Sequence, residues 1–275
     1  MRYLILSDIH SNESALEAVL AQVGRRYDEI LCLGDIVGYG PDVNEASDRV
    51  RELAPVALVR GNHDKAGSGL TDPTDFNPAA RAAAFWTREQ LRPDNLEYLR
   101  QLPVGPARVG DFQIVHGSVR DEDEYVFHAR EARVSLELAE VSLIFFGHTH
   151  FQGGFVLRNS GRVEQVRLHW PPGVVSAKLV LATNARYLIN PGSIGQPRDG
   201  DPRAAFAVYD DGGHTVEYWR VPYDVAVTQE RMRKVSLPTP LATGESRGFR
   251  AAFEHIPQDW NRGRPQTRVT GLLLE

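Results

Sequence analysis

The sequence predicts an α/β fold in which two mixed β-sheets pack into a sandwich core flanked by helices. Three observations carry this reading. Five short apolar runs end in polar residues able to bind a metal; segments of helical period follow the first three runs; and beyond His150 the chain changes to alternating strands and turns. The runs are Tyr3-Leu4-Ile5-Leu6, Ile30-Leu31-Cys32-Leu33, Val56-Ala57-Leu58-Val59, Phe112-Gln113-Ile114-Val115 and Leu143-Ile144-Phe145-Phe146. The first three lack polar alternation, the mark of strands buried on both faces.

Each element has a local reason. Asn12 or Ser14 can cap a helix through Leu16, Val19, Leu20 and Val23, with Gly24 as its stop. Asn44 to Leu53 forms a second helix before Pro55. A third opens with Asn77 as N-cap and Pro78 at the first helical position, then runs to Leu91. Asp94 to Leu102 is a fourth, and Asp64 to Phe76 reads as a polar loop. Later strands are expected at Gly154–Leu157, Val163–Leu168, Val174–Leu181, Tyr187–Ile189, Ala205–Tyr209 and Thr215–Val221, forming a second sheet packed on the first. Ala226 to Val235 is a further helix. Residues 1–235 are expected to form one domain, and 236–275 a C-terminal extension packed on it, with a short helix near Phe249 to Glu254.

Composition limits the function classes. A chain of 275 residues with 42% hydrophobic and 24% charged residues is that of an ordinary globular protein. No apolar run approaches the ~20 residues needed to span a bilayer, and Asp8 and His10 interrupt the N-terminal apolar stretch too early for a signal peptide. A cytoplasmic location and no membrane partner are therefore expected. The net charge of −5 disfavours an extended nucleic-acid-binding face. Cys32 alone inside an apolar run is a core thiol.

The polar residues after the runs are Asp8 and His10, Asp35, Asn62 and His63, His116, and His148 and His150. Ligands of α/β sheets bind beyond the carboxyl ends of strands, where all five clusters fall. A lone histidine after a strand is usually structural, but five at strand ends beside Asp8, Asp35 and Asn62 point to metal ligation. Mixed imidazole and carboxylate donors suit first-row transition ions, and the lack of cysteine ligands weighs against structural zinc. A two-metal site needs a carboxylate bridge; Asp35, on a tight turn after Gly34, is the candidate.

Asp8-Ile9-His10, Gly34-Asp35-Ile36-Val37-Gly38, Gly61-Asn62-His63-Asp64, His116-Gly117 and Gly147-His148-Thr149-His150 together resemble the motifs of the calcineurin-like metallophosphoesterase superfamily, in order and in all five blocks. Val59-Arg60-Gly61-Asn62-His63-Asp64 and Asn190-Pro191-Gly192-Ser193 look like the compact bacterial and archaeal branch that includes the YfcE-like phosphodiesterases. The resemblance covers roughly residues 1 to 222. It implies a four-layer α/β/β/α fold and two divalent transition-metal ions, manganese first, then iron, nickel, cobalt or zinc. One ion would be held by Asp8, His10, Asp35 and His150, and the other by Asp35, Asn62, His116 and His148.

His63 would then serve as general acid, with Asp64 steering its imidazole, while a metal-bridging hydroxide attacks phosphorus in line. Arg60 and Tyr39 are candidate substrate contacts; His128 is read first as a surface or helix-capping residue and second as a substrate contact. The segment with Arg198, Asp199, Asp201 and Arg203 is read as a solvated loop, with a substrate or a second subunit as the alternative, which leaves a homo-oligomer open.

The expected activity is hydrolysis of a small phosphate ester, a phosphodiester first. Phosphomonoester, phosphoprotein and dinucleoside polyphosphate substrates are the alternatives. Those last two families follow Gly-Asp with Val-Asp-Arg-Gly, and this chain has Ile36-Val37-Gly38 instead. A nuclease, or a non-catalytic scaffold such as the retromer subunit of this fold, is a more distant reading.

Overall fold

The computed structural model describes residues 1–239, 241, 266–269 and 271–272. The first sheet is built around β1 (Arg2–Leu6), β2 (Glu29–Cys32) and β3 (Ala57–Leu58), which pair in parallel. On the other side of β1 it continues antiparallel through β11 (Ala204–Asp210), β12 (Thr215–Val221) and β9 (Ser176–Val180). The second sheet runs β4 (Ala107–Val109), β5 (Phe112–Ile114), β6 (Leu143–Phe145), β10 (Ala185–Asn190), β7 (Gly153–Arg158) and β8 (Val163–Leu168), with β5, β6 and β10 parallel. Each sheet gains an edge strand from the C-terminal segment: β13 (Gln266–Val269) lies parallel to β8, and β14 (Gly271–Leu272) antiparallel to β9.

The apolar runs lack alternation because each sheet has two apolar neighbours. In β1, Ile5 faces the other sheet among Leu31, Val59, Phe112, Phe145 and Tyr209, whereas Leu4 and Leu6 face α1 (Glu13–Val23), α2 (Val43–Leu53) and α5 (Pro93–Arg100). On the outer face of the second sheet, Ile144 and Phe146 pack on Ala132 and Leu136 of α6 (Ala129–Leu138). The layers are thus α/β/β/α. Cys32 lies fully buried in this core, and burial pushes its thiol up to about 12, which leaves it unreactive.

The capping signals act where the sequence places them. The Asn12 side chain accepts from the Ala15 amide, and Asn77 does the same for Ala80 at the start of α4 (Pro78–Gln90). The helix expected at Ala226 to Val235 is α7 (Val225–Lys234). Two expectations change. The stretch from Asp64 is helical at its start, as α3 (Asn62–Ser68), because the Asp64 carboxylate at its third position caps the Gly61 amide. The two sheets are also not successive in the chain: strands after His150 go to both, with β11, β12 and β9 completing the first. The helix expected near Phe249 to Glu254 lies outside the described residues. No helix among the described residues is long and apolar enough to cross a membrane.

Candidate metal centre

The parallel strands β1, β2 and β3 of one sheet and β5 and β6 of the other end side by side, so their polar tails converge. Ligand atoms of Asp8, His10, Asp35 and His150 lie within 4.8 Å of one another, as do those of Asp35, His116 and His148. Asp35 belongs to both groups. The backbone is bent to achieve this: Asp8, His10, Asp35, His148 and His150 have φ values of 53°, 50°, 54°, 64° and 61°. Left-handed conformations of this kind cost about 1 to 3 kcal/mol each and persist only where surrounding structure imposes them.

Here the His10 amide donates to the Asp35 carbonyl at 2.9 Å, the His148 amide to the Asp8 carboxylate at 3.1 Å, and the Gly195 amide to the Asp8 carbonyl at 3.0 Å. Gly61 is glycine for a steric reason, since a Cβ there would collide with the Asp35 carboxylate. The Asn190–Ser193 turn braces the site. Asn190 Nδ2 donates to the Gly147 carbonyl at 2.9 Å, and Ser193 Oγ to the Asp8 carbonyl at 2.8 Å.

The histidines show what the pocket is built to hold. Each has one ring nitrogen on a backbone carbonyl: His10 Nδ1 with Val37 (3.1 Å), His150 Nδ1 with Gln196 (2.6 Å), His116 Nδ1 with Leu33 (2.7 Å) and His148 Nε2 with Asp123 (3.1 Å). A carbonyl accepts only from N–H, so in the neutral ring the proton sits on that nitrogen and the other is left as a lone pair. Those lone pairs point at each other: His10 Nε2 and His150 Nε2 are 3.0 Å apart, His116 Nε2 and His148 Nδ1 3.1 Å.

Asp35 Oδ2 stands between the two pairs, 3.6 Å from His10 Nε2 and 3.4 Å from His116 Nε2, without a hydrogen-bond donor among the described residues. Lone pairs and a carboxylate oxygen converging in a buried pocket repel unless a cation lies among them, and the donor set fits a divalent transition metal. The same demand for positive charge acts on His116: burial opposes its imidazolium, but Asp35 and Asp8 outweigh burial and push it up to about 10. Asn62 Oδ1 lies 3.4 Å from His116 Nε2, beside the second group.

Asp64 does a different job from the one expected. Its carboxylate accepts from the amides of Asp35 (2.8 Å), Gly61 (2.9 Å), Ile36 (2.8 Å) and Val37 (3.2 Å), not from the His63 ring. It clamps the β2 and β3 loops together and so fixes the bend that presents Asp35. Burial and the nearby Asp35 charge push it up to about 7, against the pull of the Gly61 and Val37 amides. Asp64→Asn would turn an NH2 group toward these donors. Leaving buried amides unsatisfied should cost about 3 kcal/mol, read as a lower urea midpoint, and loosen metal retention. An unchanged midpoint would remove Asp64 from this role.

His63 is buried, with its ring 4.3 Å from Tyr39, 4.8 Å from Phe76 and 5.0 Å from His10 between centroids. Burial pushes its imidazole down to about 4. Tyr39 is packed inside the site, its ring also 4.8 Å from His10. Arg60 is engaged with an acid: its guanidinium makes a two-pronged pair with Glu122 at 2.7 and 3.0 Å, and Lys65 joins the same carboxylate. His128 occupies the N-cap of α6, its amide donating to Glu131 at 2.9 Å.

The sequence reading placed Arg198 in a solvated loop, yet its side chain is buried. Its amide donates to the His150 carbonyl at 3.3 Å and its guanidinium to the Tyr39 hydroxyl at 3.2 Å. Tyr125, which carried no expectation, stacks on His148 with centroids 3.7 Å apart. Only proximity to the Asn-Pro-Gly-Ser motif could have flagged Arg198 in the sequence.

Known proteins share this fold. A metallophosphoesterase from Sphaerobacter thermophilus has a structure similar to this one, with a TM-score of 0.75 and 43% identity over 88% of this chain and 97% of that one. A hypothetical protein from Pyrococcus horikoshii shares the fold, with a TM-score of 0.70 at 20% identity over 89% and 97% of the two chains. An uncharacterised protein from Methanocaldococcus jannaschii is 34% identical over 246 residues, 85% of this chain and 93% of its own length. A family profile described as the calcineurin-like phosphoesterase superfamily domain matches residues 1–212, and with it the chain belongs to that superfamily of phosphoric ester hydrolases.

Proposed function

We propose that this protein is a phosphodiesterase that works with two divalent transition-metal ions, manganese first among them. The observation that carries the reading is the pair of inward-facing imidazole sets sharing Asp35. Asp8, His10, Asp35 and His150 would hold one ion, and Asp35, Asn62, His116 and His148 the other. Bound ions supply an activated water and neutralise charge on the phosphoryl oxygens.

The chain's own residues do the rest. The carbonyls of Val37, Gln196, Leu33 and Asp123 hold the ring proton of each neutral imidazole on the other nitrogen and so turn the ligating nitrogen inward. His63, beside the first group, would give its proton to the leaving oxygen, and an anionic phosphate next to it would raise the pKa that burial has lowered. The turn motifs around Asn62 and Asn190 resemble those of compact phosphodiesterases, which favours a small diester.

The test is chelator-stripped protein supplied in turn with Mn, Ni, Co, Fe, Mg and Zn, and assayed on bis(p-nitrophenyl) phosphate and p-nitrophenyl phosphate. Activity should be absent without metal, return best with manganese, and favour the bis-aryl ester. Faster turnover of the mono-aryl ester would make it a monoesterase, and no hydrolysis of either with any metal would defeat the reading.

A further inference from the structure

A cavity of about 240 Å³ lies between the ligand His10 and helix α7. Part of its wall is Tyr39 and the loop carrying Gln196, Pro197 and Pro202; another part is α7 itself, through Gln229 and Met232. The family profile ends at residue 212, so the α7 wall lies beyond the shared domain. That wall is fixed in place. Asp224 caps the Ala226 and Val227 amides, Thr228 Oγ1 donates to Asn12 Oδ1 at 3.2 Å, the Arg231 guanidinium pairs with buried Asp42 at 2.5 Å, and Met232 shares a buried apolar cluster with Tyr39, Ala80 and Ala83. Among the described residues, no Asp, Glu, Lys or Arg lines the cavity. Two amides do. Gln196 Oε1 accepts from Arg198 at 3.0 Å, which leaves its Nε2 as a donor, and Gln229 presents a half-buried side chain from α7.

On the phosphodiesterase reading above, we infer that this cavity seats one neutral heteroaromatic ring system, carried by the substituent that stays on phosphorus. Volume sets the size. The cavity exceeds the roughly 150 Å³ that holds a benzene ring and falls short of the ~300 Å³ at which sites for drug-sized ligands begin, so one ring system of nucleobase size fits and two do not. The uncharged wall sets the polarity: a second phosphate or a charged side chain would lose its hydration there and meet no opposite charge. The two glutamine amides set the chemistry, because an amide offers a donor and an acceptor matched to ring nitrogens and their exocyclic groups. The cavity touches His10 and Tyr39 but not His63. The group on the His63 side is the one released with its proton, and the group beside His10 is the one retained.

The test uses full-length, manganese-loaded protein and two readouts. Calorimetric binding of thymidine, a neutral nucleoside without phosphate, requires no turnover. Gln229→Trp, which fills the cavity from α7, should weaken it by at least about tenfold, and Pro202→Trp, which fills it from the exposed loop, should do the same if the α7 variant fails to fold. Gln229→Leu should weaken it about two- to tenfold, the order of one neutral hydrogen bond. In turnover, wild type should favour p-nitrophenyl thymidine 5′-phosphate over p-nitrophenyl methyl phosphate by at least about tenfold in kcat/KM, and both Trp variants should erase most of that preference. Thymidine binding unchanged in both Trp variants would overturn the inference. So would hydrolysis of the two esters at equal kcat/KM by wild type without thymidine binding, an outcome that leaves the phosphodiesterase reading intact. Wild-type protein that binds thymidine in this cavity but hydrolyses neither ester would defeat the functional reading and leave the binding site standing.

Discussion

Asp35→Asn is expected to empty the centre. Asp35 is the residue common to both ligand groups, its Oδ2 facing His10 Nε2 and His116 Nε2 while Oδ1 accepts the His63 amide at 2.9 Å. An asparagine can keep the Oδ1 bond but cannot give negative charge to two cations. Losing even a supporting partner of a ligand costs roughly 10- to 100-fold in metal affinity, so losing the shared ligand should cost more. Metal analysis after desalting should find less than one ion per chain, against two in the wild type. A chelator should then lower the melting temperature of the wild type, because bound metal stabilises the fold by mass action, and leave the variant nearly unmoved. Two ions retained by Asp35→Asn would remove it from the bridging position.

How far such a site can be read from sequence depends on what fixes each residue. Strand ends were legible because a run such as Leu4-Ile5-Leu6 must be buried on both faces, and the polar residue after it is then forced to a sheet edge. The caps at Asn12 and Asn77 were legible for the same local reason. Asp64 was not: its four amide donors come from loops after two different strands, and one of those loops lies 27 to 29 residues away. Proximity in sequence suggested His63 instead. The surroundings of Arg60 and Arg198 were hidden for a related reason. Arg60 adjoins the motif but is claimed by Glu122, 62 residues on; Arg198 sits among Asp and Arg residues that look solvated, yet Asp199 and Asp201 are taken by Arg220 and Arg203. Which acid an arginine pairs with is a tertiary choice that neighbours in sequence do not reveal. The α6 helix begins in the charged stretch from Asp121, whose periodicity is masked by the six Asp, Glu and Arg residues between Asp121 and Glu131.

His63→Gln should separate protonation from metal binding. His63 is not in either ligand group, and a glutamine of similar size should leave the metal content at the wild-type level. Its ring is fixed by Tyr39, Phe76 and His10, with Gly38 leaving room that any Cβ would take from it. Removal of a positioned general acid typically lowers turnover by roughly 10²- to 10⁴-fold, and the loss should fall on kcat and not KM. The sharper reading comes from the leaving group. A p-nitrophenolate departs with little help, so its ester should lose least; a diester leaving an unsubstituted phenol or an alkyl alcohol needs its oxygen protonated as the bond breaks and should lose most. A plot of the loss against leaving-group pKa should therefore slope upward. A flat plot with normal metal content would mean that His63 orients the phosphate without transferring the proton, and full activity would take it out of the chemistry altogether.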